Sequence, residues 1–309
     1  MTHTHLCVLS LVFREAFDRV AHRYLFTILK AYGLHECFVD RMRHMYQDAT
    51  STVQINGHIT GTIPLRCSVR QGCPLSMAHF AMCINPLLHY LVTLLNGIRF
   101  GRTGNRVAVV AYADVTLFVT QHEDFRVIRH AVERYEKASG ARLNIHKSKA
   151  LAVGGWKGTV NDLGVDFVPN IKIMGINFSN TMEGTAHTSW SRATAQIRAQ
   201  AQQAKGRNLS IAQRIKYLHN TFLAPISYTA ETLPTPETYS RQLTTAISWY
   251  IRRGATFRLP LFTLQKPLMQ GGWALINVAV ICQTLLLQRM WLQSQKEGTA
   301  TADWLRTWT

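Results

Sequence analysis

Hydrophobic positions in the first half of the chain alternate between two periods. The apolar run 6–13 is short enough for a buried strand. Phe17, Val20, Ala21, Tyr24, Leu25, Ile28 and Leu29 then keep the spacing of one helical face, which predicts a helix starting directly after the strand and ending near Gly33. A second helix is expected over 37–47. Residues 51–55 and 58–63 flank Asn56-Gly57, a dipeptide suited to a type I′ hairpin turn. Pro74 is placed in the first turn of an apolar helix running to about Leu95. The stretch 107–120, VAVVAYADVTLFVT, sets two β-rich runs around one acidic residue, Asp114, and reads as a tight hairpin. Residues 125–139 have the amphipathic helical period, with Gly140 to stop it. Strands are expected at 142–145, near Leu151, and as a pair over 171–178 around Gly175, with Lys147 and Lys149 in a basic turn.

From about Thr185 the period is helical, over 190–205, 210–228, 239–252 and 273–295, and prolines punctuate the segments between. The pattern is α+β, an antiparallel sheet with packed helices followed by an all-helical region. There is no internal repeat.

Charge sharpens this picture. Thirty-four Lys and Arg against 17 Asp and Glu give +17, an excess that favours a polyanionic partner, nucleic acid ahead of a membrane surface. Residues 184–309 hold 14 basic and only 4 acidic side chains. The six cysteines have no zinc-ligand spacing and fit a reduced intracellular protein, nuclear or cytoplasmic. No apolar run approaches the roughly 18 residues of a membrane span. The opening 1–13 has no Lys or Arg before its apolar core and reads as a strand rather than a signal peptide.

A lone carboxylate at the tip of an apolar ribbon needs water or a cation. Taken alone, Asp114 is an ordinary turn residue. Its neighbours change that. LVFREAFDRV, VRQGCPLS, YADVTLF, SGARLN with HKSK, IKIMGI, RQLTTAISWYIRRG and QGGWA stand in an order and spacing that resemble the palm of reverse transcriptases, most closely those of non-LTR (LINE-type) retrotransposons. The resemblance covers nearly the whole chain. It implies a palm over 1–183, a thumb-like region over 184–232 and a helical connector over 233–309, with the N-terminal fingers missing.

Such enzymes extend a DNA primer along an RNA template, using two Mg²⁺ ions about 3.5–4 Å apart held by aspartates. The family supplies three aspartates. Here Val12 occupies the first position, and after Asp114 one Asp is absent, so that Val115 follows directly. The resemblance leaves Asp114 as the single catalytic and metal-binding carboxylate. Asp18 is expected on the helix after the strand, facing elsewhere. Because side chains alternate at period two, a lost residue at the tip must shorten the turn or flip the next strand, so a strained or rearranged tip is expected.

The resemblance also assigns substrate contacts. Phe17 matches the aromatic gate against a ribose 2′-hydroxyl, and Glu15 and Ala16 match backbone positions near the triphosphate. Arg70, Gln71 and Gly72 match the loop before the long helix, and Lys147 a basic residue near the departing pyrophosphate. Tyr112, Met174 and Gly175 match the primer side. Arg192, Arg198, Lys205, Arg207, Arg214 and Lys216 match a thumb that follows a duplex through phosphate contacts. Blander readings stand beside these: a core ring for Phe17, a solvated Lys147, a strand bulge at Gly175. The expectation is a truncated, degenerate copy without polymerase activity, whose partners are an RNA template and a DNA primer. The alternatives are a working polymerase in which Asp18 or Glu15 supplies a ligand, and a non-enzymatic nucleic-acid-binding protein.

Overall fold

In the computed structural model, which describes residues 5–70, 72–100, 105–112, 114–157, 162–252 and 260–295, the first apolar run forms strand β1 (His5–Leu11). Gln71, Ala113, Trp304 and Trp308 lie outside the described residues. The chain divides into two compact units, Met1–Arg99 with Arg106–Pro169, and Phe100–Asn105 with Asn170–Thr309.

Up to Phe167 the order after β1 is α1 (His22–Ala31), α2 (Glu36–Tyr46), four two-residue strands β2 (Thr50–Ser51), β3 (Gln54–Ile55), β4 (His58–Ile59) and β5 (Ile63–Pro64), then α3 (Ser76–Leu94), β6 (Ile98–Phe100), β7 (Asn105–Val107), β8 (Val109–Ala111), β9 (Val115–Val119), α4 (Asp124–Ser139), β10 (Lys149–Gly154) and β11 (Asp166–Phe167). The main sheet runs β11-β10-β1-β9-β8. It is antiparallel except for the β10–β11 pair. Alternation puts Cys7, Leu9 and Leu11 of β1 and Val115, Leu117 and Val119 of β9 on one face, all wholly buried. That face packs with Leu25 and Leu29 of α1, Cys83, Leu87 and Leu91 of α3, and Phe125, Ile128 and Val132 of α4. Each such aliphatic or aromatic side chain contributes about 1.5–3 kcal/mol by burial, which fixes the register of the central strands.

The helix expected directly after β1 begins later. Residues 14–19 are turns, with Glu15 at φ 44° and the amides of Asp18 and Arg19 both donating to the Glu15 carbonyl (2.8 and 3.0 Å). Val20 is buried and Phe17 packs against the core from this loop, so their helical spacing arose without a helix. The expected strand at 142–145 reduces to one bridge, Phe13 to Leu143. Lys149 belongs to β10 rather than to a turn, and α3 starts two residues beyond Pro74. The Asn56-Gly57 turn forms as its chemistry requires, with φ of 51° and 86° and Ile55 paired with His58. Among the described residues α3 is the helix long and apolar enough to cross a membrane. It also carries His79, Asn85 and His89, and Phe80, Cys83, Ile84, Leu87 and Leu91 bury it in the core.

The second unit opens with the hairpin β12 (Asn170–Ile173) and β13 (Ile176–Ser179), turning through Met174 (φ 47°) and Gly175 (φ 87°). The sequence division at 183 groups this hairpin with the palm; the compact units group it with the helices. Those are α5 (Met182–Ala204), α6 (Ile211–Thr221), α7 (Leu223–Ala230), α8 (Glu237–Arg252), α9 (Leu261–Gln265) and α10 (Val278–Ser294). The expected helix 210–228 is two helices meeting at Phe222. A capping box between Ser210 and Gln213 starts the first of them. Trp190, Ile197, Leu218, Phe222, Ile226, Leu243 and Ile247 form the centre of a separate core.

Candidate active site and nucleic-acid surface

The acidic hairpin forms with a wider tip than a two-residue turn. Ala111 pairs with Val115, and the Tyr112 amide donates to the Asp114 carbonyl at 3.2 Å. Neither Tyr112 nor Asp114 takes a positive φ. Val115, Leu117 and Val119 keep their core-facing alternation, so β9 is not flipped and the loop carries any change of length. Asp114 is exposed, and Tyr112 is 77% exposed.

Register places Val12 beside this tip. Leu11↔Val115 is the last pair of β1 and β9, so the next position along each strand is Val12 and Asp114. Carried one step beyond the paired strands, the alternation would put both on the Ser10–Thr116 side of the sheet, opposite the helices. The Val12 backbone is fully engaged. Its N–H donates to Ser148 Oγ at 3.0 Å, and its carbonyl accepts from the Asn144 amide at 2.8 Å. Ser148, wholly buried, in turn donates its hydroxyl to the Asn144 carbonyl at 2.8 Å. The turn 144–148 is therefore pinned to the end of β1, and it presents the exposed Lys147 from the same place. Ser148 and Asn144 were missed from the sequence, because their role is a bond across more than 130 positions.

Two further loops are laced together. The Val69 amide donates to the Phe17 carbonyl (2.8 Å) and the Ser68 amide to the Val20 carbonyl (2.9 Å). The Phe17 ring stacks on Phe80 at 4.5 Å, and Ala16 is partly buried beside the same core. Asp18 lies in the turn, not on a helix, and accepts from Ser68 Oγ at 3.4 Å. Glu15 pairs with Arg19 at 3.4 Å. Arg70 donates to the Met45 carbonyl and lies over the Tyr46 ring at 5.4 Å. Burial pushes the His22 imidazole below its usual range, the Arg70 charge adding to this and the bond to Ser68 opposing it. Gly72 needs its positive φ of 86°, and no atom stands within 4 Å of where a Cβ would be.

In the second unit Tyr228 of α7 donates its hydroxyl to the Met174 carbonyl. Its ring would lie 3.1 Å from a Cβ at Gly175, so the turn is seated against α7. The basic residues divide by role. Arg192 and Lys216 are exposed, and Arg198 donates to Gln242 at 3.1 Å. Lys205 lies over Trp249 at 5.6 Å and Arg207 over Tyr217 at 4.9 Å. Arg214 is an internal strut, bonding the Leu209 carbonyl at 2.9 Å and the Ile251 carbonyl at 2.8 Å.

An antiparallel sheet backed by helices on one face, with an acidic hairpin tip beside the end of its central strand, is a polymerase palm. The family model described as reverse transcriptase (RNA-dependent DNA polymerase) matches residues 1–178, and the chain belongs to that family, within the non-LTR retrotransposon group. Relatives include the Transposon TX1 uncharacterized 149 kDa protein of Xenopus laevis, 38% identical over 54% of this chain and 12% of that protein. The Pol polyprotein of the type-1 retrotransposable element R2 of Popillia japonica is 25% identical over 96% of this chain and 50% of its own length. That of the type-2 element R2DM of Drosophila melanogaster is 23% identical over 93% and 28%. The chain thus spans half or less of each of these relatives. Among solved structures, telomerase from Candida albicans in complex with a fragment of telomeric RNA aligns with a TM-score of 0.49 and 12% identity, over 82% of this chain and 48% of that one.

Proposed function

We propose that this reverse-transcriptase domain holds a hybrid of RNA template and DNA primer without extending it. The observation that carries this reading is Val12, an isopropyl group at the strand position adjoining Asp114. Two Mg²⁺ ions need several hard oxygen donors converging on them. The residues present do not fit that pair. Val12 offers no donor, Val115 is wholly buried in the core, and among the described residues no three His, Cys, Asp or Glu side chains cluster as a cation site. Asp18 and Glu15 are turned to Ser68 and Arg19 instead. Removing one charge-stabilising group commonly costs about 10²–10³ in rate, and here two anchors are absent.

Binding rests on different groups. The +17 charge, the exposed Arg70, Lys147, Arg192 and Lys216, and the membership of the chain in a family that works on nucleic acid all support it. Primer extension by the full chain with Mg²⁺ or Mn²⁺ is expected to yield no product. Incorporation that disappears in Asp114→Ala would overturn the inactive half of the reading. Retardation of the hybrid at about 50 mM salt, fading by about 200 mM, is expected from counterion release. No retardation at low salt would overturn the binding half.

A further inference from the structure

We propose that the cleft between the end of α5 and the last turn of α8 is a clamp for an unpaired nucleic-acid strand. In it, Lys205 and Arg207 hold phosphate and Trp249 stacks a base. This rests on the reading that the chain binds nucleic acid, and narrows it to one place and one form of the ligand.

The cleft is narrow, too small to admit a base, so a base would stack on the open face of Trp249 at its rim; it is lined by Ala204, Lys205, Arg207, Arg214, Trp249 and Tyr250, with no carboxylate among them. Arg214 builds it. One guanidinium joins the Leu209 carbonyl, in the turn after α5, to the Ile251 carbonyl at the end of α8, so the segment bearing Lys205 and Arg207 is fixed against α8. Those two cations have no carboxylate partner among the described residues and lie over the aromatic rings of Trp249 and Tyr217. Trp249 is 43% exposed, whereas Tyr250 and Ile251 beside it are 4% and 2% exposed.

Cations at helix C-termini are favourable in themselves, and that accounts for Lys205, the residue that ends α5, and for Arg214, whose guanidinium reaches the end of α8. It does not account for an indole left 43% exposed beside that ammonium. Displacing that ammonium towards a phosphate would free the ring for a base, and an aromatic face stacks on any base whose own face is open. In a duplex interior both faces of each base are covered. The aromatic part of the clamp therefore selects an unpaired strand, while its cations attract phosphates of either form.

The test uses the full chain and fluorescence anisotropy at about 50 mM salt, with oligouridylate of about 12 nucleotides and a blunt RNA–DNA hybrid of equal length as probes. Trp249→Ala is expected to weaken oligouridylate binding about tenfold or more, Trp249→Phe to retain most of it, and hybrid binding to change less than about twofold in either. Arg207→Gln is expected to weaken both probes. The clamp is overturned if Trp249→Ala leaves oligouridylate binding intact or weakens both probes equally. It is also overturned, alone, if the native chain binds hybrid but not oligouridylate. If the native chain binds neither probe, the nucleic-acid reading falls with it.

Discussion

Single residues decide the chemistry here, and they differ in how far the sequence discloses them. Asn56-Gly57 was legible because a type I′ turn depends on those two residues alone. Val12 stands out only through the resemblance, since nothing in an apolar strand distinguishes one valine from its neighbours. Ser148 and His79 were not legible, because their environments come from distant segments. His79 is 2% exposed and its buried Nδ1 has no hydrogen-bond partner among the described residues. Burial lowers its proton affinity below the ordinary imidazole value, as it does for His22. The unfolded chain then takes up the proton first, so this contribution to stability is present above about pH 6.5 and is lost as the pH falls below it. Thermal unfolding is expected to show a lower Tm at about pH 5.5 than at about pH 7.5, with a smaller drop in His79→Leu. Equal slopes in the two proteins would show that His79 titrates as it does in the unfolded chain.

Elements were read well where a local signal agrees with packing and poorly where packing alone decides. Helix α4 was found almost to the residue, since its amphipathic period ends at Gly140 in the left-handed region (φ 81°). The turns at 14–19 escaped because Phe17 and Val20 reach the core from a loop at helical spacing. The start of α5 at Met182 has a local signal in Thr181, whose hydroxyl accepts from the Gly184 amide at 3.0 Å. Two glycines that end helices separate conformational from steric cost. Gly33 (φ 77°) has open space where a Cβ would be, whereas a Cβ at Gly140 would stand 2.9 Å from the Arg19 carbonyl oxygen, on the loop leading into α1. Gly33→Ala should cost about 1–2 kcal/mol, the penalty of the left-handed backbone. Gly140→Ala should cost more, because the Arg19 backbone must also shift. Urea denaturation of both variants measures the difference; equal losses would mean that the loop gives way freely.

At the scale of the whole chain, the two hydrophobic cores share no residue. One gathers around Leu9, Leu117 and Leu91, the other around Trp190, Phe222 and Leu243. This division was only partly visible beforehand. The change to a helical period at about Thr185 was plain, but a short hairpin such as 170–179 carries no mark of which core it will join. Its grouping with the helices follows from the Asn177 backbone bonding Ser189 of α5 and from Tyr228 of α7 seating its turn. Charge follows the same division, since residues 170–309 hold 15 of the 34 basic side chains but only 5 of the 17 acidic ones. A core that is complete within one segment needs no other for its burial energy, which is the dominant favourable term in folding. The fragment 170–309 is therefore expected to unfold cooperatively on its own, with its indoles shifting to longer emission wavelength in one transition. Being the more one-sided surface, it should also keep a steep loss of hybrid binding between about 50 and 200 mM salt. A fragment that melts without a transition would show that its core is incomplete; one that folds but ignores the hybrid would place the binding charge in residues 1–169.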